Sequence, residues 1–183
     1  VSDEEYMDLG LSVLWANKNL GAADAKDVGA RYRWGETEPR ETSSYAWNDY
    51  KWCLGTKKSI FKYTLSSDTP QADGKTVLDP EDDAAHVKLG EKWRMPTCAE
   101  FKELLHNCDI VQTTMGEQKG YLFTSKVAGF GDNSIFLPGI SESNVYWTSE
   151  LCSVISYCAI IFRYNSVERS LVLEDVTFIP GSS

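Results

Sequence analysis

Cys152 and Cys158 lie six positions apart in the stretch "CSVISYCAIIFRY". A thiol pair this near in sequence could carry redox or metal chemistry, but a reactive thiol needs a neighbouring cation to stabilise its thiolate. Arg163 is the only base close by in sequence. Acidic residues offer a second kind of chemistry: Asp79, Glu81, Asp82 and Asp83 follow one another in "LDPEDDAAHVKLG". Calcium takes about six to eight oxygens, whereas successive carboxylates at a helix start already stabilise orphan amides and the positive end of the dipole. Helix capping is therefore the expected role, no metal site is assigned, and calcium stays open as a ligand without a site. His86 and His106 fall on predicted helices, and no Ser or Cys near them has the context of an activated nucleophile. Of six tryptophans, Trp47 and Trp52 in "YAWNDYKW" are the two expected to reach the surface and stack on a ligand; the others are expected in the core.

Elements that could position these groups are legible in part. Leu9, Leu11, Val13 and Trp15 recur at period two, which predicts a strand. Residues 22 to 73 lack a period and predict a loop-rich region pinned by aromatics. Two short helices are expected next. Asp79 is the predicted cap of the first, with Pro80 in the first turn and Gly90 as the stop. In the second, Thr97 and Glu100 form a capping box ahead of Phe101, Leu104, Leu105 and Cys108 at helical spacing. Strand-like pieces follow in "GYLFTSK", "SIFLPG", "VYWTS", "AIIFRY" and "LVLEDVTFI". The order predicts one α+β domain over residues 1 to 183, with two short helices, a small antiparallel sheet, much irregular loop, and a last strand returning to the first.

The chain has 183 residues and a formal charge of −9. That field repels phosphate, and no Lys or Arg run offsets it, so nucleic acid is excluded as an expected partner. No apolar run approaches the roughly 20 residues of a membrane helix, so membrane insertion is not expected. Five cysteines without a CxxC pair, and two histidines, make no structural zinc set. Cys98 and Cys108 are expected to be small buried hydrophobes.

Several stretches in one order, "DLGLSVLWANKNLGA", "GARYRWGETEP", "YKWC", "TVLDPEDDAAHVKLGEKWRMPTCAEFKELLHNC", "GYLFTS", "NSIFLPG" and "YWTSE", resemble the major paralogous domain of Bacteroidetes and Fibrobacter surface proteins. "WRMPTCAEF" is similar to a hallmark of the formylglycine-generating, sulfatase-modifying family. The resemblance implies a C-type-lectin-like fold and an extracellular or cell-surface protein, reached through a removed signal peptide or lipid anchor. It does not assign function, since such a fold hosts enzymes, lectins and scaffolds. The sugar-binding Glu-Pro-Asn or Gln-Pro-Asp triplet of lectins is absent; "ETEP" has another order and predicts a turn. Cys158 sits in a Ser-Tyr-Cys like that of the formylglycine-generating enzymes, which use copper on a substrate cysteine, but the interval from Cys152 is longer by one residue.

Every residue from Leu151 to Val167 is encodable by an NNC codon. The variable proteins of diversity-generating retroelements have that signature near their C-terminus and share the C-type-lectin fold. The expected function is therefore a non-enzymatic domain presenting a variable segment, residues 150 to 170, to a protein or glycan. Its expected contact residues are Cys152, Val154, Ile155, Ser156, Tyr157, Ile160, Phe162 and Tyr164, with Trp47 and Trp52. A buried strand is the competing reading of Ala159 to Phe162. The alternatives in function are a thiol- and copper-dependent oxidase using Cys152 and Cys158, and a structural module of an adhesive surface protein.

Overall fold

The computed structural model describes residues 6–41, 46–65, 72–139, 145–155, 157–164 and 169–177. They form an α+β domain with few helices and antiparallel sheets. Among these residues β1 (Tyr6–Met7) pairs with β2 (Trp15–Ala16). A single 3-10 turn at Pro80–Asp82 leads to α1 (Ala84–Leu89), and α2 (Cys98–Asn107) follows. One three-stranded sheet holds β3 (Cys108–Met115), β4 (Gln118–Ser125) and β5 (Ser134–Pro138) in sequential order. A second holds β6 (Val145–Leu151), β7 (Cys158–Tyr164) and β8 (Arg169–Asp175), with β7 in the middle.

The helices follow their local signals, with one shift. Thr97 Oγ1 accepts from the Glu100 amide at 3.2 Å while the Glu100 carboxylate accepts from the Thr97 amide at 2.8 Å, the expected capping box. Phe101, Leu104 and Cys108 then turn one face into the core. The first helix starts later than its sequence suggests. Asp79 and Pro80 open only the 3-10 turn, and Asp83 caps α1, accepting from Ala85 and His86 at 2.9 and 3.1 Å.

Of the N-terminal alternation only Trp15 lies in a strand, β2; Leu9, Leu11 and Val13 do not. Gly10 adopts φ 70, with its N–H on the Asp8 carboxylate at 2.8 Å and the Phe130 ring where a Cβ would stand. A β-carbon would be strained there, and the chain turns. The last described strand lies against β7, so the expected pairing of first and last strands is not found among the described residues.

Two apolar clusters make the core. Leu9, Trp15, Phe101, Leu104, Phe123, Phe162 and Tyr164 belong to one. Trp34, Tyr50, Tyr63, Trp147, Ala159, Ile161 and Val176 belong to the other. β7 feeds both: Phe162 and Tyr164 enter the first, Ala159 and Ile161 the second. Burial on both faces removes the usual polar alternation, which is why "AIIFRY" has no period. The buried-strand reading of this stretch is the correct one.

That placement corrects the expected contact surface. Phe162 is fully buried, stacked on Phe101 with ring centroids 4.5 Å apart, and Tyr164 is buried against Tyr121 and Phe123. Cys152 is also buried. A partner cannot reach these side chains without unfolding the sheet, so they are scaffold. Ser156 lies outside the described residues, as do positions 165 to 168 of the expected surface.

Candidate functional site

What β6 and β7 do present is the connection between them. A register shift between Trp147 and Leu151 interrupts the ladder, as a β-bulge does where a strand must re-aim its side chains. Thr148 fills the gap, donating Oγ1–H to the Ile160 carbonyl at 2.8 Å. Glu150 is thereby turned to accept the Cys98 amide at the start of α2, at 2.6 Å. Beyond it the Cys152 N–H meets the Cys158 carbonyl at 2.8 Å, the Cys158 N–H meets the Ile155 carbonyl at 3.1 Å, and the Val176 N–H meets the Tyr157 carbonyl at 3.0 Å. These bonds hold both ends of the connection to the sheet.

On that base Val154 stands 86% exposed, with Ser153 exposed beside it and Ile155 half-buried. Tyr157 is half-buried. Its ring meets the edge of Trp47 at 6.3 Å, and the Lys57 ammonium lies 4.9 Å from its centroid. Trp47 sits on a one-turn 3-10 helix, Trp47–Asp49, and packs its other contact on Tyr50 at 5.9 Å. The nearby 53–60 turn offers Leu54, 75% exposed. The structure thus brings Val154, Ile155, Tyr157 and Trp47 into one region. Lys57 is an addition that sequence reasoning missed, since nothing local links residue 57 to residue 157.

Trp52 is not part of that surface. Its indole N–H donates to the Gly35 carbonyl at 2.8 Å, and the Lys51 and Lys62 ammonium groups lie over its ring at 4.2 and 4.6 Å. Edge contacts with Phe61 and Tyr63 hold the rest. A sugar ring would have to displace two cations, so Trp52 is a scaffold residue. Ile160 is half-buried and lines a recess of about 300 Å³ with Cys98, Glu150 and Ser153.

The two thiols are adjacent in the sheet but poorly disposed for reaction. Burial pushes Cys158 up to about 11, and the carboxylates of Asp175 and Glu174 and the Cys152 thiol add to it; Lys57 opposes them weakly. Cys152 is buried, with its sulfur accepting the Val154 N–H at 3.4 Å. At neutral pH Cys158 is therefore protonated, the opposite of an activated nucleophile. We expect alkylation of Cys158 by iodoacetamide, followed by mass spectrometry, to be slow at pH 7.5 and to keep rising up to pH 10. Rapid labelling that is flat over that range would reinstate the thiol-oxidase reading.

The acidic run divides its work. Asp83 caps α1 and also accepts the Met95 N–H at 2.8 Å. Carboxylate oxygens of Asp79, Glu81 and Asp82 lie within 4.8 Å of one another. Lysines already occupy that space: Lys62 reaches Asp79 at 2.9 Å and Asp82 at 2.5 Å, Lys75 reaches Asp79 at 2.6 Å, and Lys51 reaches Asp82 at 3.0 Å. A cation would compete with three ammonium groups. His86 and His106 each place Nδ1 on a backbone carbonyl, of Trp93 and Lys102 respectively.

A second concavity had no local signature. A groove of about 1090 Å³ runs between the 13–36 segment, the 84–96 segment, and the facing ends of β5 and β6. Its walls include Leu14, Val28, Leu89, Leu137 and Tyr146. Residues as far apart as Tyr6 and Trp147 meet in it, so only the folded chain shows it. No family model, curated protein or solved structure matches this chain.

Proposed function

We propose that this chain is a non-enzymatic ligand-binding domain of a secreted or cell-surface protein, with a C-type-lectin-like fold, and that it presents the 153–157 connection to a protein or glycan. The observation that carries this reading is Val154, 86% exposed at the tip of a connection whose two ends are hydrogen-bonded to a sheet with its central strand in the core. An exposed aliphatic on rigid backbone loses little entropy on contact, and the flanking Trp47, Tyr157 and Lys57 supply amphipathic area of the kind found in paratopes. Variation fits here as well. Side chains at 153 to 155 can change without entering either core cluster, whereas those at 159, 161, 162 and 164 cannot. The retroelement reading narrows accordingly from 151–167 to the exposed positions within it.

The test is a binding screen of the purified chain against a glycan array and a panel of immobilised surface proteins. Selective capture that is lost on replacing residues 153 to 155 by Gly-Ser-Gly is expected. A uniform absence of selectivity would favour a structural module, and capture that survives the replacement would place the site elsewhere. Diversification has its own check in the gene neighbourhood, where an adjacent reverse transcriptase and a near-copy of the 3′ end are expected.

A further inference from the structure

The large groove carries a charge pattern opposite to that of the chain. Its lining holds five basic residues, Lys18, Arg31, Arg33, Lys92 and Arg94, and only two acidic ones, Glu36 and Glu100, in a chain of formal charge −9. Both acids are already matched. Glu36 pairs with Arg40 at 2.9 Å and accepts the Lys51 N–H at 3.1 Å. Glu100 is bound by the Arg94 guanidinium and by the Thr97 amide. Arg33 is bound to Asp49 at 2.8 Å. Lys18, Arg31 and Lys92 are left, and among the described residues none of the three has a carboxylate within ion-pair distance. The remaining walls are apolar, with Val13, Leu14, Leu20, Ile135 and Leu137 among them.

We propose that this groove is a binding site for an anionic amphiphile, of which a long-chain carboxylate is the simplest form, its alkyl chain on the aliphatic walls and its head group among Lys18, Arg31 and Lys92. The volume of about 1090 Å³ is slightly above the roughly 300–1,000 Å³ typical of small-molecule sites. Burial of the alkyl chain against these apolar walls is the source of affinity. The charges select the sign of the head group, because a cation in a groove lined by these three side chains is repelled. The site is separate from the 153–157 connection, and its failure would leave that reading untouched.

Isothermal titration with laurate, below its micelle concentration, tests the proposal on the intact chain. Saturable binding at one site is expected, with dodecyltrimethylammonium at least tenfold weaker on the same protein. The K18Q/R31Q/K92Q variant should lose at least tenfold in laurate affinity while keeping its melting temperature, since among the described residues those head groups hold no ion pair. Leu14, half-exposed in the wall, gives a second variant: Leu14→Asp should abolish laurate binding. Equal binding of the two amphiphiles, which needs no variant to observe, would overturn the proposal. So would unchanged affinity in the triple variant, or binding of the peptide acetyl-(Asp-Leu)4 with no binding of laurate, which would mark a peptide groove instead.

Discussion

Replacing Phe162 by Ala is expected to destabilise the domain by about 3–5 kcal/mol, a fall in melting temperature of about 10 °C for a chain of this size. The ring is fully buried, stacked on Phe101 at 12° between planes, and continuous with Trp15 and Tyr164 in one cluster. Truncation leaves a cavity between α2 and the central strand of its sheet, and neither is free to close it. Val154→Ala, eight residues earlier, should change stability by less than about 0.5 kcal/mol. Urea unfolding of both variants decides the point. If Phe162→Ala unfolds at the wild-type midpoint, β7 is not core and the division between scaffold and presenting residues collapses.

Asp82 carries the second large effect. Its carboxylate is 2% exposed and receives Lys51 at 3.0 Å, Lys62 at 2.5 Å and the Tyr63 hydroxyl at 2.6 Å. Tyr63 in turn accepts the Asp79 N–H on that hydroxyl at 2.9 Å and sits at φ 60, a left-handed conformation unfavourable for an aromatic residue. Removing the carboxylate leaves the Tyr63 hydroxyl without its acceptor and Lys62 with only Asp79 of its two carboxylate partners, so the contacts that hold Tyr63 in its strained conformation are lost. Asp82→Ala is expected to cost about 3–5 kcal/mol.

The pH dependence has a definite sign. Burial alone would raise Asp82, but the hydrogen bonds from Lys62, Tyr63 and Lys51 outweigh it and hold the carboxyl below its ordinary value. A depressed folded pKa gives stability that is present above the unfolded value, near 4, and is lost as pH falls through that value toward the folded one. Asp49, Asp79 and Glu100 are lowered as well and contribute in the same window. The unfolding free energy of the wild type should therefore fall between about pH 5 and pH 3, and that of Asp82→Asn should fall less steeply. Equal slopes would mean that Asp82 is not ionised by these partners in the folded state.

The sequence was most legible where the physics is local. The Thr97–Glu100 capping box and the Phe101–Leu104–Cys108 face needed only neighbours in the chain, and both stand in the structure. Five late strands were marked by their aromatic and β-branched runs. β3, "CDIVQTTM", was not, because it lies at the edge of its sheet with most side chains in water. The N-terminal alternation misled because period two also arises when side-chain acceptors fix a turn: Asp8 binds the Gly10 amide, and Glu103, remote in sequence, binds that of Ser12 at 3.0 Å. β7 defeated periodicity by being buried on both faces. The candidate site was half legible, since Val154, Ile155 and Tyr157 lie on the predicted segment. Its partner residues and the charged groove depend on contacts that no local pattern encodes.

The presenting-loop reading is tested most directly by the V154A/I155A/Y157A variant, measured in parallel for thermal unfolding and for capture of whichever glycan or protein the wild type selects. All three side chains are at least partly exposed and lie outside both core clusters. The expected result is a melting temperature within about 5 °C of the wild type and loss of capture. Retained capture, or unfolding on the scale of Phe162→Ala, would contradict it.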